Sequence, residues 1–108
     1  MRPANRRLRH RLTLEAASRA PDGGGGATET WNAIAQAWGH IRPVGGVETV
    51  DADGLVSRVS HEITLRYRAD IAPAMRLVSG SRRFEIIAVM DIEEVHRWLK
   101  CLCVERDL

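Results

Sequence analysis

The chain is 108 residues long, sets 16 Lys and Arg against 14 Asp and Glu for a formal charge of +2, and is only 5% aromatic. That length suits one domain with a single modest core, which Val, Ile and Leu must supply. No run of roughly 20 apolar residues occurs, which excludes a membrane-spanning helix, and so small a charge gives by itself no reason to expect nucleic acid.

Every basic residue except Lys100 is an arginine. Arginine forks bind carboxylate and phosphate bidentately, although GC-rich coding produces the same bias. The N-terminus is basic but lacks the apolar stretch of a signal peptide, so synthesis in the cytoplasm of the producing cell is expected. Residues 1–7, with Pro3 and Asn5, read as a flexible basic arm.

From Leu8 an alternation begins: Leu8, His10, Leu12, Leu14 and Ala16 share one face, and Arg9, Arg11, Thr13 and Glu15 the other. Period two is the mark of a half-buried strand. The arm and this outer face gather Arg2, Arg6, Arg7, Arg9 and Arg11, the densest positive charge in the chain. Such a cluster suits a solvated terminus, phosphate or an acidic protein surface. Ser18 to Ala27 holds Pro21, Asp22 and a run of glycines and is expected to be a flexible hairpin connection; a phosphate loop would need a following GK[ST].

The segment TETWNAIAQAWGHIRP from Thr28 has two readings. Trp31, Ile34, Ala35 and Trp38 sit at helical spacing, whereas Ala33, Ala35, Ala37, Gly39 and Ile41 make one small-residue face of a strand; Pro43 ends either. Val44 to Ser57 has no basic residue, carries Glu48, Asp51 and Asp53, and is expected to be a long loop hinged by Gly45, Gly46 and Gly54. Loops of that length tend to be functional, so the readings are a solvated acidic loop or an excursion toward a partner or lumen.

Arg58 to Arg68 is the clearest strand. Val59, His61, Ile63, Leu65 and Tyr67 alternate with Ser60, Glu62, Thr64 and Arg66. Pro73 marks a turn, Met75 to Val78 is extended, and Ser79-Gly80-Ser81 signals a hairpin. Arg83 to Met90 is a strand too apolar for a fully solvated face, Asp91, Glu93 and Glu94 form a turn, and Val95 to Glu105 is the closing strand. About six strands without a secure helix predict an all-β fold, a small antiparallel β-barrel with the long loop between strands 2 and 3. The expected organisation is arm 1–7, a single domain over 8–105 and a tail at 106–108.

Chemistry is sparse. The four histidines (His10, His40, His61 and His96) fall on different strands without a common spacing. Cys101 and Cys103 share one strand face, which is poor disulfide geometry and, without CxxC or paired-His spacing, no metal motif. Glu93 and Glu94 diverge in a turn and make no acid–base pair. No nucleophile-elbow, zinc-protease or nucleotide-loop motif is present. A non-enzyme without cofactor or metal is expected.

The ordered set LRHRLT, WNAIAQAWGHIRP, HEITLRYR, PAMRL, GSRRFEIIAV and LKCLCVE resembles the head-closure, or head–tail joining, proteins of long-tailed bacteriophages and phage-like gene transfer agents. The matching pieces are Leu8 to Thr13, Trp31 to Pro43, His61 to Arg68, Pro73 to Leu77, Gly80 to Val89 and Leu99 to Glu105, nearly the whole chain. Gly39 departs from the Ala often found after the second-strand Trp, and the Gly23 to Gly26 run departs from the usual first hairpin.

The resemblance implies strand for the ambiguous second segment. It also implies a β-barrel that oligomerises as a ring in the particle neck, a hexamer with a dodecamer as the alternative. Such a ring closes the DNA-filled head. It binds a portal adaptor above and a tail-terminator or tail tube protein below, with double-stranded DNA passing through without sequence recognition and no membrane contact. The loop between strands 2 and 3 corresponds to a channel or gating loop, here Gly45, Gly46, Glu48, Thr49, Asp51, Asp53 and Gly54. Candidate contacts to neighbours or adaptor are Arg7, Arg9, Arg11, Arg66 and Arg68. Two other readings are an adaptor or tail-terminator ring of the same particle, and a free-standing nucleic-acid-binding barrel. The latter needs aromatic platforms on an exposed basic face, whereas Tyr67, Phe84 and the tryptophans fall on apolar faces or in apolar strands.

Overall fold

A computed structural model of the chain describes residues 8–50, 54 and 56–106. Six strands form it: β1 (His10–Pro21), β2 (Ala27–Val50), β3 (Val56–Arg66), β4 (Arg76–Ser79), β5 (Arg82–Asp91) and β6 (Trp98–Arg106), with one short 3-10 turn at Ile92–Glu94. They make one antiparallel sheet in the order β1-β2-β3-β6-β5-β4, closed where β4 pairs with β1. Closure is narrow: β1 meets β4 only from Thr13 to Glu15.

The alternation read in the sequence is the alternation of the barrel. Leu12, Leu14, Ile63, Leu65, Leu77, Phe84, Ile86, Leu99, Cys101 and Cys103 point inward and pack as one core, with Ile41, Tyr67, Met75 and Val89 against it. Val59 is also fully buried. The TETWNAIAQAWGHIRP segment is strand: Gly39 lies opposite His10 on one side and Leu65 on the other. The pairing of both its edges outweighs the helical propensity of its alanines.

Two arms extend β2 beyond the barrel. Past Glu15, β1 has no neighbour but β2, and the pair runs on to Pro21 opposite Ala27. The flexible connection expected over Ser18 to Ala27 is therefore half paired strand. Only Asp22 to Gly26 turns, where the Gly24 and Gly26 N–H groups donate to Asp22 Oδ1. The second arm corrects the long loop in the same way: Val47 lies opposite Val59, Glu48 opposite Arg58, Thr49 opposite Ser57 and Val50 opposite Val56. The β2–β3 connection is thus a projecting two-stranded ribbon. Gly45 and Gly46 are absorbed in an irregularity between Pro43 and Val47, where β2 carries extra residues.

At about 3.3 Å per residue a flat strand as long as β2 would span roughly 80 Å, yet the longest dimension of the molecule is 50 Å. β2 must bend, and it carries its irregularities for that purpose. The first leaves Ile34 without a partner between Ala33 and Ala35. The arms also explain a radius of gyration of 14.5 Å, against about 13 Å for a compact chain of this size.

Candidate functional site

The interior offers no site. Cys101 and Cys103 are free thiols and wholly buried. Burial pushes the Cys101 pKa up to about 12, and burial first, then the neighbouring Cys101, pushes that of Cys103 up further. Such thiols are unreactive. His61 is half-buried with its ring edge-on to Phe84 at 5.1 Å. Its Nδ1 is 2.9 Å from Ser60 Oγ, and its Nε2 faces Glu105 at 3.9 Å and Arg82 at 3.3 Å. Desolvation lowers its pKa, partly opposed by Glu105 and aided by Arg82. Among the described residues no group of three His, Cys, Asp or Glu is placed to hold a metal ion.

The outer face is more specific. Arg11 lies opposite Trp38, and Arg66 opposite Trp98. Because Gly39 is opposite Leu65, Trp38 and Arg66 are the next outward pair. Arg11, Trp38, Arg66 and Trp98 therefore follow one another across β1, β2, β3 and β6. The Arg11 guanidinium sits 5.9 Å from the Trp38 ring centre and that of Arg66 5.2 Å from Trp98. Arg76 lies 4.0 Å over Trp31 and donates from Nε to Glu15 Oε1 at 2.6 Å. Each tryptophan thus carries an arginine, a contact worth about 0.5–1 kcal/mol where exposed. Apolar strands were expected to hide these rings. The small-residue face ending in Gly39 and Ile41 was the signal to the contrary, since it puts Trp38 on the other side.

The candidate arginines do not form one cluster. Arg11 and Arg66 share the row just described, and Arg11 also bonds Gln36 Oε1. Arg9 lines an open depression of 270 Å³ with His10, His40 and Ile41. Arg68 turns back as a fork onto Asp70, at 2.9 and 3.0 Å, which holds the Asp70 carboxyl below its usual range. Arg7 lies outside the described residues. So do Asp51 and Asp53, while Gly45, Gly46, Glu48 and Thr49 fall within β2 and Gly54 turns with φ +80°.

The corner between β5 and β6 falls where Asp91, Glu93 and Glu94 marked a turn, but it runs further than expected before the last strand begins. Val95 to Arg97, expected to begin the last strand, precede it. Glu93, Glu94 and His96 have φ of 59°, 55° and 57°, a left-handed conformation that costs about 1–2 kcal/mol per non-glycine residue. His96 is held there by stacking on Tyr67 at 4.6 Å and by Asp91, which accepts from the His96 N–H at 3.1 Å and faces its Nε2 at 3.3 Å. Beside it, Arg66, Tyr67, His96, Arg97 and Trp98 line an open cleft of 440 Å³.

A family model described as phage head completion protein matches residues 3–106. The chain belongs to that family. Head completion proteins are structural components of the virion, not enzymes, and this one is a head–tail structural protein of a phage or phage-like particle. It is 27% identical to a chain in the virion of a native gene transfer agent particle, over 99% of this chain and 98% of that one, with a TM-score of 0.66. It is also similar to the solution structure of protein SF1141 from Shigella flexneri 2a, at 25% identity over 92% and 93% of the two chains, with a TM-score of 0.67. No curated protein matches it.

Proposed function

We propose that this head completion protein forms a ring in the particle neck, closes the DNA-filled head and presents the docking surface for the tail. The observation that carries the reading is the end-to-end likeness to a gene transfer agent virion chain in a family defined by head completion. The surface suits the role. Function lies on outward arginines, tryptophans and two arms rather than in the packed interior, as a component that works through neighbours requires. The ring is a hexamer in this reading, with a dodecamer as the alternative. A portal adaptor sits above it, the tail-terminator or tail tube protein below, and packaged DNA passes through.

The β2–β3 arm is the channel-facing element of this proposal. An acidic segment repels phosphates rather than gripping them, so DNA slides past it. As a two-stranded ribbon it would swing as a unit about the irregularity from Pro43 to Val47.

Electron microscopy of particles made without this chain tests the proposal. Separate tails beside tailless, emptied heads are expected. Full, tailed particles indistinguishable from wild type would refute it.

A further inference from the structure

The large apolar side chains left in solvent are not scattered. Among the described residues they are Ile34 (45% exposed), Trp38 (53%), Val50, Met90 (43%) and Val95 (53%). Val50 belongs to the β2–β3 arm, and the others form two pairs. Ile34 and Trp38 stand on the outer side of β2, where Ile34 is the unpaired residue of the irregularity. Met90 is the last residue but one of β5, and Val95 follows in the strained corner.

Each pair has charge beside it, and the charges are opposite. Next to Trp38 lies Arg11, bonded to the neutral Gln36 rather than to a carboxylate. Between Met90 and Val95 in the chain lie Glu93 and Glu94, while Lys100, opposite Met90 on β6, is 3.8 Å from Glu62. Elsewhere among the described residues Asp22 accepts from its own turn, and other acids are matched by arginine: Glu15 with Arg76, Glu29 with Arg19, Glu62 with Arg42, Asp70 with Arg68, Glu85 with Arg106 and Glu105 with Arg82. Glu93 and Glu94 have neither ion pair nor hydrogen bond among the described residues. Both are exposed, and both have left-handed backbone.

The closed strand order β1-β2-β3-β6-β5-β4 puts three steps between β2 and β5 in either direction. The two patches therefore lie on opposite sides of the barrel. One is cationic and apolar, the other acidic and apolar. We infer that they bind each other between copies of this chain. The face of Arg11, Ile34 and Trp38 on one copy takes the corner of Met90, Glu93, Glu94 and Val95 on the next. Two different patches on opposite sides make a head-to-tail contact, the kind that generates rings. Tryptophan and arginine at its centre are the residues that dominate such interfaces. The inference deepens the ring proposed above by naming its seam, and it does not use the arms.

Two full-length variants test it. One carries Arg11→Glu and Trp38→Thr and loses the first patch; the other carries Glu93→Lys and Glu94→Lys and loses the second. All four positions are solvent-facing, and matched circular dichroism and thermal unfolding establish that both chains fold. Each variant alone is expected to sediment as a monomer. Their equimolar mixture is expected to give a 1:1 dimer and nothing larger, because each copy then offers one competent patch. The experiment runs to about 1 mM chain, beyond which contact is non-specific. A mixture that stays monomeric overturns the inference, whatever the wild type does. Either variant alone forming the wild-type oligomer also overturns it, while leaving the ring itself standing. Loss of the ring would instead show as a neck without it in particle images.

Discussion

Gly39 is where the fit of the barrel wall is tightest. A Cβ added there would stand 2.5 Å from Leu12 Cδ1, 3.3 Å from Thr64 O and 3.4 Å from Ile63 Cγ2. Leu12 and Ile63 are fully buried. An ordinary carbon contact is about 3.5–4.0 Å, so in Gly39→Ala the Leu12 methyl must retreat by roughly 1 Å inside a packed core, at a cost of about 1–3 kcal/mol. Removing a strand glycine returns about 0.5–1 kcal/mol. The net expectation is a loss of about 1 kcal/mol, a fall in Tm of about 4–8 °C. Leu12→Val takes away the clashing methyl and by itself costs about 1 kcal/mol. Combined with Gly39→Ala it should cost clearly less than the sum of the two. Urea and thermal unfolding of the complete double-mutant cycle, followed by circular dichroism, measures this coupling. A Gly39→Ala chain as stable as wild type, with additive effects in the double variant, would refute the steric account. It would mean that Gly39 merely stands where alanine would serve equally well.

The buried thiols should make the fold alkali-sensitive. Unfolded thiols ionise from about pH 8.5 while the folded Cys101 stays protonated to about 12, so stability falls as pH rises through that window, by about 1.4 kcal/mol per unit for each thiol. Urea titrations from pH 8 upward should show that slope, shallower in Cys103→Ala; equal slopes would count against it. His61 acts at the other end. Its folded pKa lies below the unfolded value, so the unfolded chain binds the proton first and stability is lost as pH falls below about 6.5. His61→Gln should flatten the stability profile between pH 6.5 and 5. Ala74 has φ 73°; Ala74→Gly relieves a left-handed alanine and should raise stability by about 0.5–1 kcal/mol, read as a higher Tm.

The inward faces of β1, β3 and β6 were legible from alternation alone, because a half-buried strand writes its geometry at period two. Leu12 and Leu14, Ile63 and Leu65, Cys101 and Cys103 all point where the pattern puts them. The arms were not legible. Glycines at 45 and 46 and the run from Gly23 suggested coil, whereas pairing between distant residues decided the matter, and no local pattern records that Val47 meets Val59. The turn at Asp91, Glu93 and Glu94 was legible, but its left-handed backbone was not: the residues are not glycines, and His96 is held there by the ring of the distant Tyr67 as well as by nearby Asp91. As for the arginines, composition named them, but only the register showed that Arg11 and Arg66 flank Trp38 while Arg68 is spent on its own turn.

One strand, β2, runs from the tip of one arm through the barrel wall into the other. Antiparallel hydrogen bonds lie perpendicular to the strands they join. A pull between the two ends of β2 therefore loads its bonds to β1 and β3 together, in shear, instead of opening them one after another as a pull across the sheet would. The chain is built to carry tension along that axis. A load taken up at one arm reaches the other through a single continuous backbone, whose bends at Ile34 and between Pro43 and Val47 are the first places to yield.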